Sequence, residues 1–170
     1  MIVVSDTTPL ITLLKAGRLS ILHSLFGEVR IPEAVFSEAT RNETFKDEAD
    51  KIRNSEYIRV VKVQDQSQVV FLQRVTGLDI GESEAIIYAD EVKADLLLMD
   101  EAAGRKVALN MNLPVTGSVG VLIKAFKSGI ITANEADDAF SMIKTANRHI
   151  SESLINKALK MIHGNTTNGK

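Results

Sequence analysis

Apolar positions along this chain recur with two periods in alternation, short aliphatic runs between stretches of helical spacing. Ile2-Val3-Val4 reads as a buried strand, and it ends abruptly in Ser5-Asp6-Thr7-Thr8-Pro9. Thr8 reads as an N-cap and Pro9 as the first residue of a helix over 9–16, stopped by Gly17. The spacing then predicts a helix over 19–26, a strand over 29–31, a helix over 33–40 opened by Pro32, and a mostly polar surface helix over 44–54. A more exposed strand over 57–63 precedes helices over 67–76 and 81–93. Leu96-Leu97-Leu98-Met99 is a second apolar run, ending in Asp100, before a helix over 101–111 and a fifth strand over 113–116. Helices over 120–127, 133–145 and 151–162 follow, and residues 164–170 have nothing to bury and read as a disordered tail.

Strands alternating with helices imply an α/β fold, a mostly parallel sheet wrapped by helices and joined by right-handed crossovers. The first and fourth strands, the most apolar, belong at its centre, because strands buried on both faces lose the polar alternation. If they are neighbours, the strand order reverses between them, and Asp6 and Asp100 meet at the edge where open α/β sheets bind ligands. Two acids there repel, which predicts a raised pKa for at least one and a divalent cation as the simplest neutraliser. Asp6 has no evident local duty, since Thr7 or Thr8 can cap the helix, whereas Asp100 can itself cap the helix that follows.

Composition narrows the class without naming a function. At 170 residues the chain is long enough for one domain, taken as 1–163 with 130–163 a C-terminal helical segment. A charged fraction of 25% and an apolar fraction of 45% are those of an ordinary soluble globule. The absence of cysteine excludes disulfide scaffolds and thiolate zinc sites, and His23, His149 and His163 are scattered. There is neither a basic leader nor a run of membrane-spanning length, so the cytoplasm is the expected compartment and no membrane partner is expected. A net charge of −2 gives no global sign of nucleic-acid binding, but a local basic patch suffices for phosphate contacts.

Further acids complete the candidate constellation. Glu38, with Ala34 and Val35 three and four residues before it, sits at the edge of an inward helix face or lies solvated. Glu82 and Glu84 are about 200° apart around a helix, so they point different ways. Asp79 and Glu82 have capping-box spacing, which gives Glu82 a local task; Glu84 has none beyond favouring a helix start, and is the better site candidate. Arg105, one turn after Glu101, is placed to pair with that acid or with a phosphate, and the sequence leaves both open.

Ser5-Asp6-Thr7-Thr8-Pro9-Leu10-Ile11, Pro32-Glu33-Ala34-Val35-Phe36-Ser37-Glu38, Gly81-Glu82-Ser83-Glu84-Ala85-Ile86 and Leu96-Leu97-Leu98-Met99-Asp100-Glu101 together resemble the PIN domain. The likeness is to a prokaryotic branch of predicted nucleic-acid-binding proteins. It covers about residues 2–129 and continues through Arg148-His149-Ile150-Ser151-Glu152-Ser153-Leu154. The resemblance implies a three-layer sandwich with five strands in the order 3-2-1-4-5 and helices on both faces. It implies a metal-dependent ribonuclease, a role as the toxin of a toxin–antitoxin pair with a small antitoxin partner, and a homodimer. Carried over by position, its acids are Asp6, Glu38, Glu84 and Asp100, with glutamate at the third position where most of the family has aspartate.

Carboxylate oxygens suit magnesium or manganese, which activate water and stabilise charge on a scissile phosphate. On this reading Asp6 and Asp100 hold the ion directly, and Glu84 and Glu38 complete its surroundings. Thr7, Glu82 and Arg105 are auxiliary candidates. The substrate class is single-stranded or loop RNA, with Lys15, Arg41, Lys46 and Arg105 as candidates for steering phosphate. A receiver or dehalogenase-like phosphatase usually needs a second acid beside the first, which Ser5-Asp6-Thr7-Thr8 lacks. The alternative from another class is a non-catalytic module that binds nucleic acid or protein on the same scaffold. Leu10, Ile11, Leu14, Leu19, Ile21 and Leu22 carry more apolar surface than two short helices can hide beneath them, which predicts a symmetric dimer interface.

Overall fold

The computed structural model describes residues 1–41, 46–146 and 150–166. Thr44, at which the sequence starts its fourth helix, Arg148 and His149 of the quoted motif, and residues 167–170 of the tail lie outside the described residues. Five parallel strands, β1 (Val3–Ser5), β2 (Val29–Pro32), β3 (Ile58–Val61), β4 (Leu96–Leu98) and β5 (Val115–Thr116), form one sheet in the order β3-β2-β1-β4-β5. That is the order the resemblance implies. The first and fourth strands pair in register, Val3 with Leu96, Val4 with Leu97 and Ser5 with Leu98. Successive residues of a strand face opposite sides, and Val3, Val4 and Ser5 are all buried, so the centre of the sheet is covered on both faces.

The helices around it are α1 (Thr7–Lys15), α2 (Ile21–Phe26), α3 (Glu33–Thr40), α4 (Lys46–Arg53), α5 (Gln66–Thr76), α6 (Ile80–Glu91), α7 (Ala102–Asn110), α8 (Ser118–Lys127), α9 (Ala133–Ala146) and α10 (Glu152–Thr166). Helix α1 begins two residues earlier than its proline suggests. Asp6, in extended backbone conformation, is the N-cap position, and Pro9 is the third helical residue. A proline is tolerated there because the first four N–H groups of a helix have no intrahelical partner. Helix α8 likewise starts at Ser118, before Gly120, and α10 runs on to Thr166, past residue 162.

Helices α1 and α2 do not display a spare apolar face. Leu10, Leu14, Leu19, Ile21 and Leu22 are buried in the chain's own core, Ile11 packs against it, and α1 meets α8 and α9 while α2 meets α8. The surface on which a dimer was expected is consumed within one chain, which corrects the ground for that expectation.

Helix α6 carries the most information about function. It touches β1, β2, β4, α3, α5 and α7, and every residue from Gly81 to Ala89 is buried. A helix buried on all sides has no solvent face. Glu82 and Glu84 do point apart, yet both end in protein, at 5% and 6% exposure. Two buried carboxylates on one helix must each be held by something.

Candidate functional site

The carboxyl ends of β1 and β4 lie side by side, and the Asp6 N–H donates to the Leu98 carbonyl at 3.0 Å. Asp6 is 2% exposed and makes no side-chain cap to its own helix. The two threonines that the sequence offered as caps do other work. Thr7 Oγ1 donates to Glu38 Oε2 at 2.7 Å, and Thr8 Oγ1 to Glu101 Oε1 at 3.4 Å. Helix α3 thus brings Glu38 to the start of α1, and the start of α7 brings Glu101.

Helix α6 adds Asp79 and Glu82. The capping box is present: the Glu82 N–H donates to Asp79 Oδ1 at 2.8 Å, and the Asp79 N–H donates to Glu82 Oε2 at 3.1 Å. A carboxylate has two oxygens, and the cap uses one. Glu82 Oε1 is buried and has no hydrogen-bond partner. Glycines line this floor: a Cβ on Gly81 would stand 3.0 Å from Glu38 Oε2 and 3.4 Å from Asp79 Oδ1, and one on Gly104 would stand 3.0 Å from Glu82 Oε1.

The charges register the crowding. Burial pushes the Asp6 carboxyl up to about 8, and the Glu82, Asp79 and Glu38 carboxylates push the same way, against the Thr7 backbone N–H. Burial also raises Glu82, helped by Asp79, Glu101 and Glu38. Asp100 is raised by burial too, but its neighbours oppose the shift. Its Oδ1 accepts the Ser118 N–H at 2.7 Å, the Ser118 hydroxyl reaches both its oxygens at 3.1 and 2.9 Å, and Arg105 and the Thr12 hydroxyl favour its charged form. The expected mutual repulsion of Asp6 and Asp100 is not the leading cause for either. Desolvation is, and the like charges around Asp6 come from α3 and the start of α6.

The sequence-derived acids therefore separate. Asp6, Glu38 and Glu82 share one electrostatic neighbourhood, with Asp100 on the adjoining strand end. Glu84 faces away from them: its Oε2 accepts the Ala34 N–H at 3.0 Å, and its Oε1 accepts from Gln66 Nε2 at 3.3 Å. It caps the start of α3, where Pro32 supplies no side-chain cap. Arg105 does not pair with Glu101 through its side chain; Nη1 donates to the Met99 carbonyl at 2.9 Å, beside Asp100. Asp79, Glu101, Ser118 and Thr12 were missed as site members. Asp79 was visible through the capping-box spacing, while Ser118 had no signal beyond a hydroxyl next to Gly117.

Carboxylate oxygens alone, one of them buried without a partner and several raised by confinement together, are the donor chemistry of a hard divalent cation. No three His, Cys, Asp or Glu side chains among the described residues already stand in a coordinating arrangement. The residues fit such an ion by donor type and charge.

No curated protein matches the chain. The DUF3368 family model, described as a PIN domain, matches residues 2–163, nearly the whole chain and all five strands. PIN domains are generally nucleases acting on nucleic acids, usually with divalent metals, and no helix among the described residues is long and apolar enough to cross a membrane. With the strand order and the acid cluster at the ends of β1 and β4, the match leaves one assignment: the chain belongs to the PIN domain family.

Proposed function

We propose that this protein is a metal-dependent ribonuclease whose divalent cation, magnesium or manganese, is held by Asp6, Glu82 and Asp100, with Glu38 completing the acidic wall. The observation that carries the reading is the buried Asp6 carboxyl among Glu38, Asp79 and Glu82, beside a Glu82 oxygen without a partner. Glu82 takes the part that the family resemblance gives to Glu84, because Glu84 caps the start of α3 while Glu82 stands among the charges around Asp6.

A bound cation supplies an activated water and stabilises charge on the phosphate. The chain's own groups do the rest. Ser118 and Thr12 oppose the upward push that burial gives Asp100, and Thr7 orients Glu38. Asp79 holds Glu82 by its cap, leaving Oε1 directed away from that bond. Single-stranded RNA suits the site because a flexible backbone can enter an acidic cleft whose sign a cation reverses. The toxin role and the small antitoxin partner rest on the family resemblance alone. Growth arrest on expression, relieved by Asp6→Asn, is the outcome that supports the toxin role.

The test is cleavage of single-stranded RNA with manganese and with EDTA, alongside calorimetric manganese binding. Manganese-dependent cleavage lost in Asp6→Asn supports the reading. Manganese binding with no cleavage of any RNA favours the non-catalytic binding module, and no manganese binding at all overturns the metal site.

A further inference from the structure

The positive charge of Arg105 bears on Asp100 and favours its charged form, whereas the charges that bear most on Asp6 and Glu82 are carboxylates. The site is therefore polarised. Carboxylates from α3 and the start of α6 crowd Asp6, and a guanidinium borders Asp100 on the adjoining strand end. Arg105 cannot deprotonate to become a ligand, and it repels a cation.

Its placement is fixed in three ways. Nη1 donates to the Met99 carbonyl, the residue between β4 and Asp100, so the strand end itself anchors the side chain. The Arg105 N–H donates to the Glu101 carbonyl at 3.0 Å, one turn back in α7. Gly117 leaves room alongside: a Cβ there would lie 3.4 Å from Arg105 Nη1. The guanidinium has five N–H donors, and the Met99 bond is its only side-chain hydrogen bond among the described residues. The residue is half-buried, beside Asp100 and the acid cluster.

We propose that Arg105 grips a phosphate of the RNA backbone through its unused N–H donors and so sets where the strand lies relative to Asp100. The proposal rests on the nuclease reading and adds the residue that contacts substrate. A planar fork anchored at one corner presents paired donors to two phosphate oxygens with little left to order on binding. The task also explains why a cation stands beside a carboxylate without an ion pair within 4.0 Å: among the described residues Arg105 has none.

The test is anisotropy of a labelled single-stranded RNA, in calcium and separately in EDTA, across a salt series, for the wild-type chain, Arg105→Gln and Arg105→Lys. Arg105→Gln is expected to weaken binding by about tenfold or more and to lower the slope of log affinity against log salt by about 0.7, the share of one phosphate on a single strand. Arg105→Lys keeps the slope and loses part of the affinity, since an ammonium is a point charge without the fork. Manganese binding to Arg105→Gln matches or exceeds wild type, because a neighbouring positive charge is gone. An unchanged slope in cooperatively melting Arg105→Gln overturns the assignment, and so does loss of its manganese binding, which would mark Arg105 as a support for Met99 and Asp100 only. If Arg105→Gln does not fold, Arg105→Lys decides: full wild-type affinity rules out the forked contact. Wild-type binding with unchanged variants sinks this inference alone, whereas wild type that binds no RNA in either condition removes the nuclease reading as well.

Discussion

The Glu84 carboxylate accepts the backbone N–H of Ala34 at 3.0 Å, so α6 provides the cap that the start of α3 lacks. The neighbouring Glu82, two residues earlier, aims a free oxygen the other way. The two glutamates should therefore fail differently. Glu84→Gln keeps a carbonyl oxygen for Ala34 and is expected to retain most activity. Glu84→Ala leaves that N–H without its acceptor and should lower stability by about 1–3 kcal/mol in urea unfolding. Glu82→Gln is expected to keep its cap to Asp79, melt near wild type, and lose manganese binding and cleavage by orders of magnitude. The reverse ranking of Glu82→Gln and Glu84→Gln in activity would return the third-acid role to Glu84.

Thr7 should act on the chemistry through Glu38. Its hydroxyl donates to Glu38 Oε2 at 2.7 Å, the one hydrogen bond to the Glu38 side chain among the described residues. Thr7→Val is close in shape and removes the donor, at a cost of about 1 kcal/mol to folding. Cleavage rate should fall severalfold with RNA affinity little changed, as measured by single-turnover kinetics and anisotropy. Equal rates in wild type and Thr7→Val would mean that Glu38 needs no orientation.

The sheet was legible because β1 and β4 are apolar runs that end in acids, and their adjacency follows from burial on both faces. The ends of helices were less so. Pro9 marked a first helical position by preference, but a proline fits anywhere in the first turn, and the actual start fell at Thr7. The Asp79–Glu82 capping box was read correctly, and its consequence was not: one capped oxygen says nothing about the other. The 200° between Glu82 and Glu84 sorts them only if one face of the helix meets water, and α6 has no such face. The apolar excess of α1 and α2 was real, but sequence spacing cannot reveal that α8 and α9, far along the chain, return to cover it.

Gly117 offers a probe of Asp100 that leaves every charge in place. Its backbone is ordinary, φ −111°, so alanine brings no conformational strain. A Cβ there would stand 2.5 Å from Asp100 Oδ1 and 3.4 Å from the Met99 carbonyl, so the carboxylate or the loop must shift. Gly117→Ala should cost about 1–3 kcal/mol in stability and reduce cleavage by about a hundredfold, the order expected when a reacting group is misplaced by an ångström. Ser118→Ala, which removes one donor to Asp100 and adds no bulk, should be the milder change in the same assays. Wild-type activity in Gly117→Ala would show that Asp100 is not held where the chemistry needs it.

Asp6 makes the metal-free protein sensitive to pH in a defined direction. Its folded carboxyl titrates at about 8, against 3.8 for an exposed aspartate. Between those values the folded chain keeps a proton that the unfolded chain has released. Stability in EDTA must then fall as pH rises through that window, by up to about 1.4 kcal/mol per pH unit where the difference is complete. Glu82 and Asp100 are shifted in the same direction and steepen the fall. Asp6→Asn carries neither the proton nor the buried charge, so its profile should be flatter and its EDTA melting temperature at pH 8 higher than wild type. Manganese should reverse the order, because it replaces the proton at Asp6 and stabilises only the chain that binds it. Thermal melts of both proteins from pH 5 to pH 9, with EDTA and with manganese, decide the matter. Parallel profiles in EDTA would show that Asp6 is already ionised in the fold and that the crowding of carboxylates around it does not hold a proton.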